Sequence, residues 1–203
     1  MKRAYYFFKQ TIQKNRLAHL YLISGPKGSG KAQLIEEVAY LILNQGKPES
    51  PHFKLQIKER KASNVMWIEP DGLSIKKEQI LALQQEFSKT ALVSGARIYV
   101  IKGIEKISQS AANSLLKFME EPLSQKVYGF LLTENIDDVL PTILSRSQII
   151  HLKSIDEKDL EKELLELGVD EKIATLAPYM TKNLEEATQL AENPNFLEMI
   201  GFI

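Results

Sequence analysis

The sequence predicts an α/β fold: a P-loop domain built on a parallel five-stranded sheet, followed by a small helical domain. Three observations predict it. Short apolar runs alternate with helical patterns along most of the chain, which is how a parallel sheet with crossover helices reads. A glycine-rich loop leaves the first apolar run and opens a helix, which sets the ligand site at the carboxyl ends of the strands. The strand signal stops after Leu152, which assigns residues 1–153 to the sheet domain and 154–203 to the helical one.

The elements follow in order. LYLIS (20–24) reads as a buried strand. The helix after the loop carries Leu34, Ile35, Val38, Leu41 and Ile42 at helical spacing. VMWIE (65–69) is a second strand, closed by the turn signal Pro70-Asp71-Gly72. Ser74 reads as the cap of a helix with Ile80, Leu83 and Phe87 on its apolar stripe. RIYVI (97–101) is a third strand. A helix from about Ser110 to Glu121 follows, with Ala112, Leu115, Leu116 and Met119 inward and Pro122 ending it. VYGFLLT (127–133) and QIIHL (148–152) are the fourth and fifth strands. DEKDLEKELLELG is an amphipathic helix stopped by Gly168. The span 44–64 fits neither element and is longer than the usual ~12–15 residues of a structureless connection.

Composition narrows the function. With 203 residues, 44% of them hydrophobic and 26% charged, the chain can bury a core. Its formal net charge of +0 gives no support to free-standing duplex binding. There is no cysteine, so disulfides, thiol catalysis and Cys-ligated zinc are excluded, and a reducing cytoplasm fits. The N-terminal AYYFF run is too short for a secretory leader, and no apolar run approaches the ~20 residues of a membrane span.

The loop SGPKGSGKA carries the chemistry. Gly25, Gly30 and Lys31 satisfy G-x-x-x-x-G-K-[ST], and Ala32 stands where a hydroxyl would hold Mg²⁺. Backbone N–H groups around Gly28, Ser29, Gly30 and Lys31 could cradle a phosphate, with the helix N-terminus behind them. An empty turn of the same shape is the competing reading. The acid that would complete a metal site should end a later buried strand. That place holds Lys102, and Gly103 follows where a carboxylate would orient water. Glu105 reads as a solvated surface carboxylate. No metal site is expected.

The stretch AANSLLKFMEEP (111–122), with RLAHLYLISGPKGSGK (16–31), LLTEN (131–135) and LPTILSRSQIIHL (140–152), resembles the clamp-loader subunits of bacterial DNA polymerase III. The likeness is greatest to the delta-prime type from Gram-positive bacteria and runs closely over residues 5–152. It implies a RecA-like AAA+ domain, a helical lid and then a collar domain, which makes these 203 residues an N-terminal fragment without the collar. It further implies a stator that does not hydrolyse ATP, with ATP or ADP held without Mg²⁺ if the loop is filled. An ATP-binding subunit with weak ATPase activity of its own is the alternative. Implied partners are the clamp-loader ATPase subunits and the delta subunit, with the sliding clamp and primed DNA reached through the assembled complex. No membrane is involved. Nucleotidyltransferase activity would come only by membership of the polymerase complex.

Residue by residue, the family's serine-arginine motif falls on Ser145, Arg146 and Ser147, with Arg146 as an arginine finger acting in trans. Sensor 1 falls on Thr133. The sensor-2 arginine position holds Glu185. Family members usually carry four zinc cysteines in the span occupied here by 44–64, which has none, so no zinc is expected and the module is either refolded or partly disordered. Two rivals stand against this reading. An active P-loop ATPase or nucleotide kinase would need the missing acid. A direct DNA-binding module would use Lys54, Lys58, Arg60 and Lys61, a run that reads rather as a solvated loop face.

Overall fold

The computed structural model describes residues 1–88, 95–120, 126–154 and 156–201, apart from the side chain of Glu185. The chain divides into two compact units. One comprises Lys2–Ser24 and Lys31–His151. The other comprises Gly25–Gly30 and Leu152–Ile203, together with Met1.

In chain order the elements are α1 (Lys2–Gln13), β1 (Leu20–Ser24), α2 (Lys31–Leu43), α3 (Pro51–Lys58), β2 (Val65–Ile68), α4 (Lys77–Ser88), β3 (Arg97–Lys102), α5 (Gln109–Glu120), β4 (Val127–Thr133), α6 (Pro141–Leu144), β5 (Gln148–His151), α7 (Glu157–Glu166), α8 (Glu171–Met180), α9 (Leu184–Ala191) and α10 (Pro194–Met199). The five strands form one parallel sheet in the order β2-β3-β4-β1-β5. Sequence neighbours β1 and β2 are therefore separated by two strands. Their register puts the carboxyl ends Ser24, Thr133 and His151 side by side, with Lys102 beside Leu132.

Helices bury apolar stripes against the sheet. Ile80, Leu83 and Phe87 of α4 join Ala111, Leu115 and Phe118 of α5 over Leu22, Ile68, Ile101 and Leu131. Phe8 of α1 meets Tyr21 edge-on at 4.9 Å, and Tyr21 stacks on Phe130 at 5.7 Å between ring centroids. Tyr21 is fully buried, and its hydroxyl accepts a hydrogen bond from the Ala18 amide. Large side chains of this kind contribute on the order of 1.5–3 kcal/mol each on burial, so packing rather than local propensity holds the sheet. In the other unit, Leu160, Leu164, Ala174, Ala177 and Ala187 form a separate core of α7, α8 and α9.

Several expectations need correction. Ser74 does not cap a helix. It pairs with Asp71 in an isolated bridge, α4 starts at Lys77, and Gln79 Oε1 accepts from the Lys76 amide instead. On α2, Leu41 is only partly buried, while Ala39 and Leu43 are buried. On α5 the buried positions include Ala111 and Phe118, with Leu116 and Met119 only partly buried. The expected end of that helix at Glu121-Pro122 lies outside the described residues.

The span 44–64 is not a structureless connection. It contains α3, because Ser50 accepts from the Phe53 amide as N-cap and Pro51 opens the first turn. Ile57 is buried. Tyr40 of α2 anchors the segment: its hydroxyl accepts from the Ser50 amide at 2.9 Å and from Asn44 Nδ2 at 3.2 Å. Lys54 Nζ lies 2.8 Å from Glu37 Oε1, above the Tyr40 ring. The segment is thus tied to α2 by a tyrosine and an ion pair.

Candidate functional site

In the sheet unit, the carboxyl edge carries the residues that would hold a nucleotide and its metal. Lys31 opens α2 and is half-buried. Burial lowers its amine's pKa. Glu134 and Glu105 oppose that shift, and Lys102 adds to it. Lys102 ends β3 with its Nζ 3.7 Å from Glu69 Oε1. The same oxygen accepts from Arg60 Nη1 at 2.6 Å. The lysine at the metal-acid place is therefore one of two cations on a carboxylate at the tip of the neighbouring strand. Parallel register explains the pairing: Ile68 sits opposite Ile101, so Glu69 and Lys102 emerge together.

Gly103 follows in the left-handed region, at φ 70°. A Cβ there would lie 3.3 Å from Pro70 Cγ. A water-activating carboxylate cannot simply be restored at that position, because a side chain would be strained and crowded at once. Glu105, in the short 3-10 turn Ile104–Lys106, is not the solvated carboxylate the sequence predicts. It is half-buried, and its Oε2 is buried without a hydrogen-bond partner. The turn tucks it inward because Ile104 beside it packs into the core. Thr133 is buried at the end of β4, and its hydroxyl donates to the Asn135 carbonyl at 2.8 Å.

These groups do not fit Mg²⁺. Ala32 has no ligand atom, Lys102 is a cation, and no cluster of three or more acidic or histidine side chains among the described residues could hold a metal ion. Three of the four cations in the basic run of 54–61 have a carboxylate beside them. Lys54 pairs with Glu37, Arg60 with Glu69 and Lys61 with Glu59.

Arg146 lies in the turn between α6 and β5. Its Nη2 donates to Glu120 Oε1 at 2.7 Å and its Nη1 to the Thr142 carbonyl at 3.1 Å. The side chain is 41% exposed and that of Glu120 57%. The flanking hydroxyls are used inside the turn, Ser145 on Thr142 and Ser147 on Ile143, both as donors to carbonyls.

In the other unit, the loop Gly25–Gly30 has Gly28 and Gly30 both at φ 77°. Ser29 is 1% exposed, and its hydroxyl has no hydrogen-bond partner. Lys27 Nζ lies 2.9 Å from Glu186 Oε1 on α9. The sensor-2 expectation at Glu185 concerns a side chain outside the described residues. The sequence reading missed Glu69, Glu120, Glu134 and Glu186. Glu120 lay inside the quoted 111–122 stretch, and Glu69 could have been found by aligning the ends of adjacent parallel strands.

Comparison with known proteins is specific. A family model described as DNA polymerase III, delta subunit, matches residues 1–156. DNA polymerase III subunit delta' of Bacillus subtilis is 40% identical over 192 residues, covering 93% of this chain and 58% of that protein. DNA polymerase III subunit tau/gamma of Haemophilus influenzae is 32% identical over 183 residues, 88% of this chain and 26% of that protein. The chain thus spans little more than half of the first relative and about a quarter of the second. Among solved structures, a DNA polymerase III gamma subunit-related protein of Thermotoga maritima aligns with TM-score 0.59 at 22% identity, over 93% of this chain and 61% of that one. The Thermotoga maritima RuvB Holliday junction branch migration motor aligns with TM-score 0.63 at 14% identity, over 98% and 62%. At such identities the likeness shows the fold, a RecA-like AAA+ P-loop domain with a parallel sheet.

Proposed function

The chain belongs to the DNA polymerase III delta subunit family, and on that premise we propose that it is a non-hydrolysing clamp-loader subunit that lends Arg146 to a neighbour's ATP site. One observation carries the reading. The edge that would hold this chain's own metal is filled by Lys102 paired to Glu69 and by left-handed Gly103, while Arg146 stands on the surface.

Phosphoryl transfer depends on positioning and on neutralising charge, and the metal ligands serve both. With those ligands absent, little is left to accelerate hydrolysis in this subunit. A guanidinium on an exposed turn is a permanent cation whose planar fork suits a γ-phosphate. Its pair with Glu120 parks it. An exposed pair of that kind contributes on the order of 0.2–1 kcal/mol, so releasing Arg146 to a phosphate costs little. Partners would be the clamp-loader ATPase subunits and the delta subunit. The sliding clamp and primed DNA would be met through the assembled ring, in the cytoplasm. The alternative of weak ATPase activity draws on Glu105, whose buried oxygen has no partner.

The test uses the full-length protein, alone and in the reconstituted loader. Alone, it should turn over no ATP. In the loader, Arg146→Ala should leave assembly intact and lower clamp- and DNA-stimulated ATPase. A Mg²⁺-dependent rate in the isolated protein, lost in both Lys31→Ala and Glu105→Gln, would establish the alternative. Unchanged rates in an intact Arg146→Ala ring would reduce Arg146 to a structural cation.

A further inference from the structure

The loop offered by the sequence as a phosphate cradle is engaged by the chain's own helical segment. Gly25–Gly30 cluster with residues 152 onward in one compact unit. A Cβ built on Gly28 would fall 2.5 Å from Asn183 Cβ and 2.8 Å from its Cα. Real Cβ atoms essentially never come so close, so the loop backbone and the turn before α9 already touch with no room for a methyl group. A Cβ on Gly25 would fall 2.7 Å from the Leu152 carbonyl oxygen. Ser29 is buried with its hydroxyl unpartnered, an arrangement whose desolvation cost the surrounding packing must offset.

The turn that meets the loop is itself built. Thr181 Oγ1 accepts from the Asn183 amide at 3.1 Å and donates to Glu186 Oε2 at 2.8 Å. The other Glu186 oxygen meets Lys27. The hydrogen bond from Lys27, then that from Thr181, holds the Glu186 carboxyl below its ordinary pKa. One side chain therefore ties the loop's lysine to the turn that seats on the loop's glycine.

We propose that this glycine loop is a latch that docks the helical segment without nucleotide, with Asn183 seated on Gly28 and Glu186 holding Lys27. Where a P-loop in use presents its backbone to phosphate, this one presents it to protein. Shape rather than charge dominates the latch, because the Lys27–Glu186 pair is solvent-exposed, at 73% and 42% of the two side chains, and exposed pairs are weak. The latch does not depend on the role of Arg146.

Hydrogen exchange on the full-length protein tests it. Amides of 27–31 and 181–188 should be protected equally with and without ATP and Mg²⁺. Gly28→Ala should raise exchange in 181–188 about tenfold or more, as expected from a loss of roughly 1.4 kcal/mol or more in local opening, and leave strand amides of the sheet unchanged. If Gly28→Ala fails to fold, Asn183→Arg, which adds bulk on the same contact from the other side, decides the matter in the same way. Lys27→Ala should change exchange less than either. Protection that appears only with nucleotide, or variants with unchanged exchange in 181–188, would overturn the latch.

Discussion

Lys102 and Arg146 are cations at opposite ends of the same parallel sheet, the first closing β3 at its carboxyl end and the second just before the amino end of β5, and they are held in different ways. Lys102 shares Glu69 with Arg60 and is followed by a glycine in a conformation that a side chain cannot adopt without strain. Arg146 has one carboxylate partner, more exposed than itself, on the far end of α5. Both side chains are exposed, Lys102 at 51% and Arg146 at 41%, so the difference lies in their surroundings. Lys102 shares its carboxylate with a second cation and is followed by a backbone that disfavours any side chain, whereas the carboxylate beside Arg146 carries a single cation and is itself exposed.

Four experiments can break or sharpen that contrast. The largest effect is expected from Arg146→Ala in the reconstituted loader. The site it serves should lose on the order of 10³-fold or more in hydrolysis, as in known finger systems, measured as ATPase turnover of the intact ring. Gly103→Glu comes next. Restoring the missing carboxylate should yield no ATPase and should destabilise the protein by about 1–3 kcal/mol in urea denaturation, because a non-glycine residue would be forced to positive φ. ATPase gained by this variant would show that the edge is not closed.

Glu120→Gln should cost less than about 1 kcal/mol of stability, as exposed pairs do, and leave the ring's ATPase intact. A fall matching that of Arg146→Ala would make Glu120 a positioning residue for the guanidinium. The smallest effect concerns Lys31. Its amine's pKa is depressed in the folded protein, so the folded state binds fewer protons than the unfolded one between that lowered value and the ordinary 10.5. Stability contributed by this group therefore rises with pH across that window and is penalised below it. Relative to Lys31→Met, the wild-type protein should gain stability as pH rises toward 10.5, by paired chemical-denaturation curves. A parallel pair of curves would mean that Lys31 is not desolvated.

What the sequence determined by itself was local. Apolar runs such as LYLIS and VYGFLLT are short and continuous, so the strands β1 and β4 were legible at their observed bounds. Ala32, Lys102 and Gly103 announced the loss of the metal ligands because side-chain chemistry is written directly in residue identity. Even α3 had a readable cap in Ser50-Pro51. The tertiary structure alone decided the pairings. Glu69 meets Lys102 because β2 and β3 are neighbours in a sheet order that the linear sequence does not fix. Glu120 meets Arg146, and Asn183 meets Gly28, across spans where no periodicity operates. Period and backbone preference act over a few residues, whereas the partner of a charge or a glycine is set by which elements packing brings together.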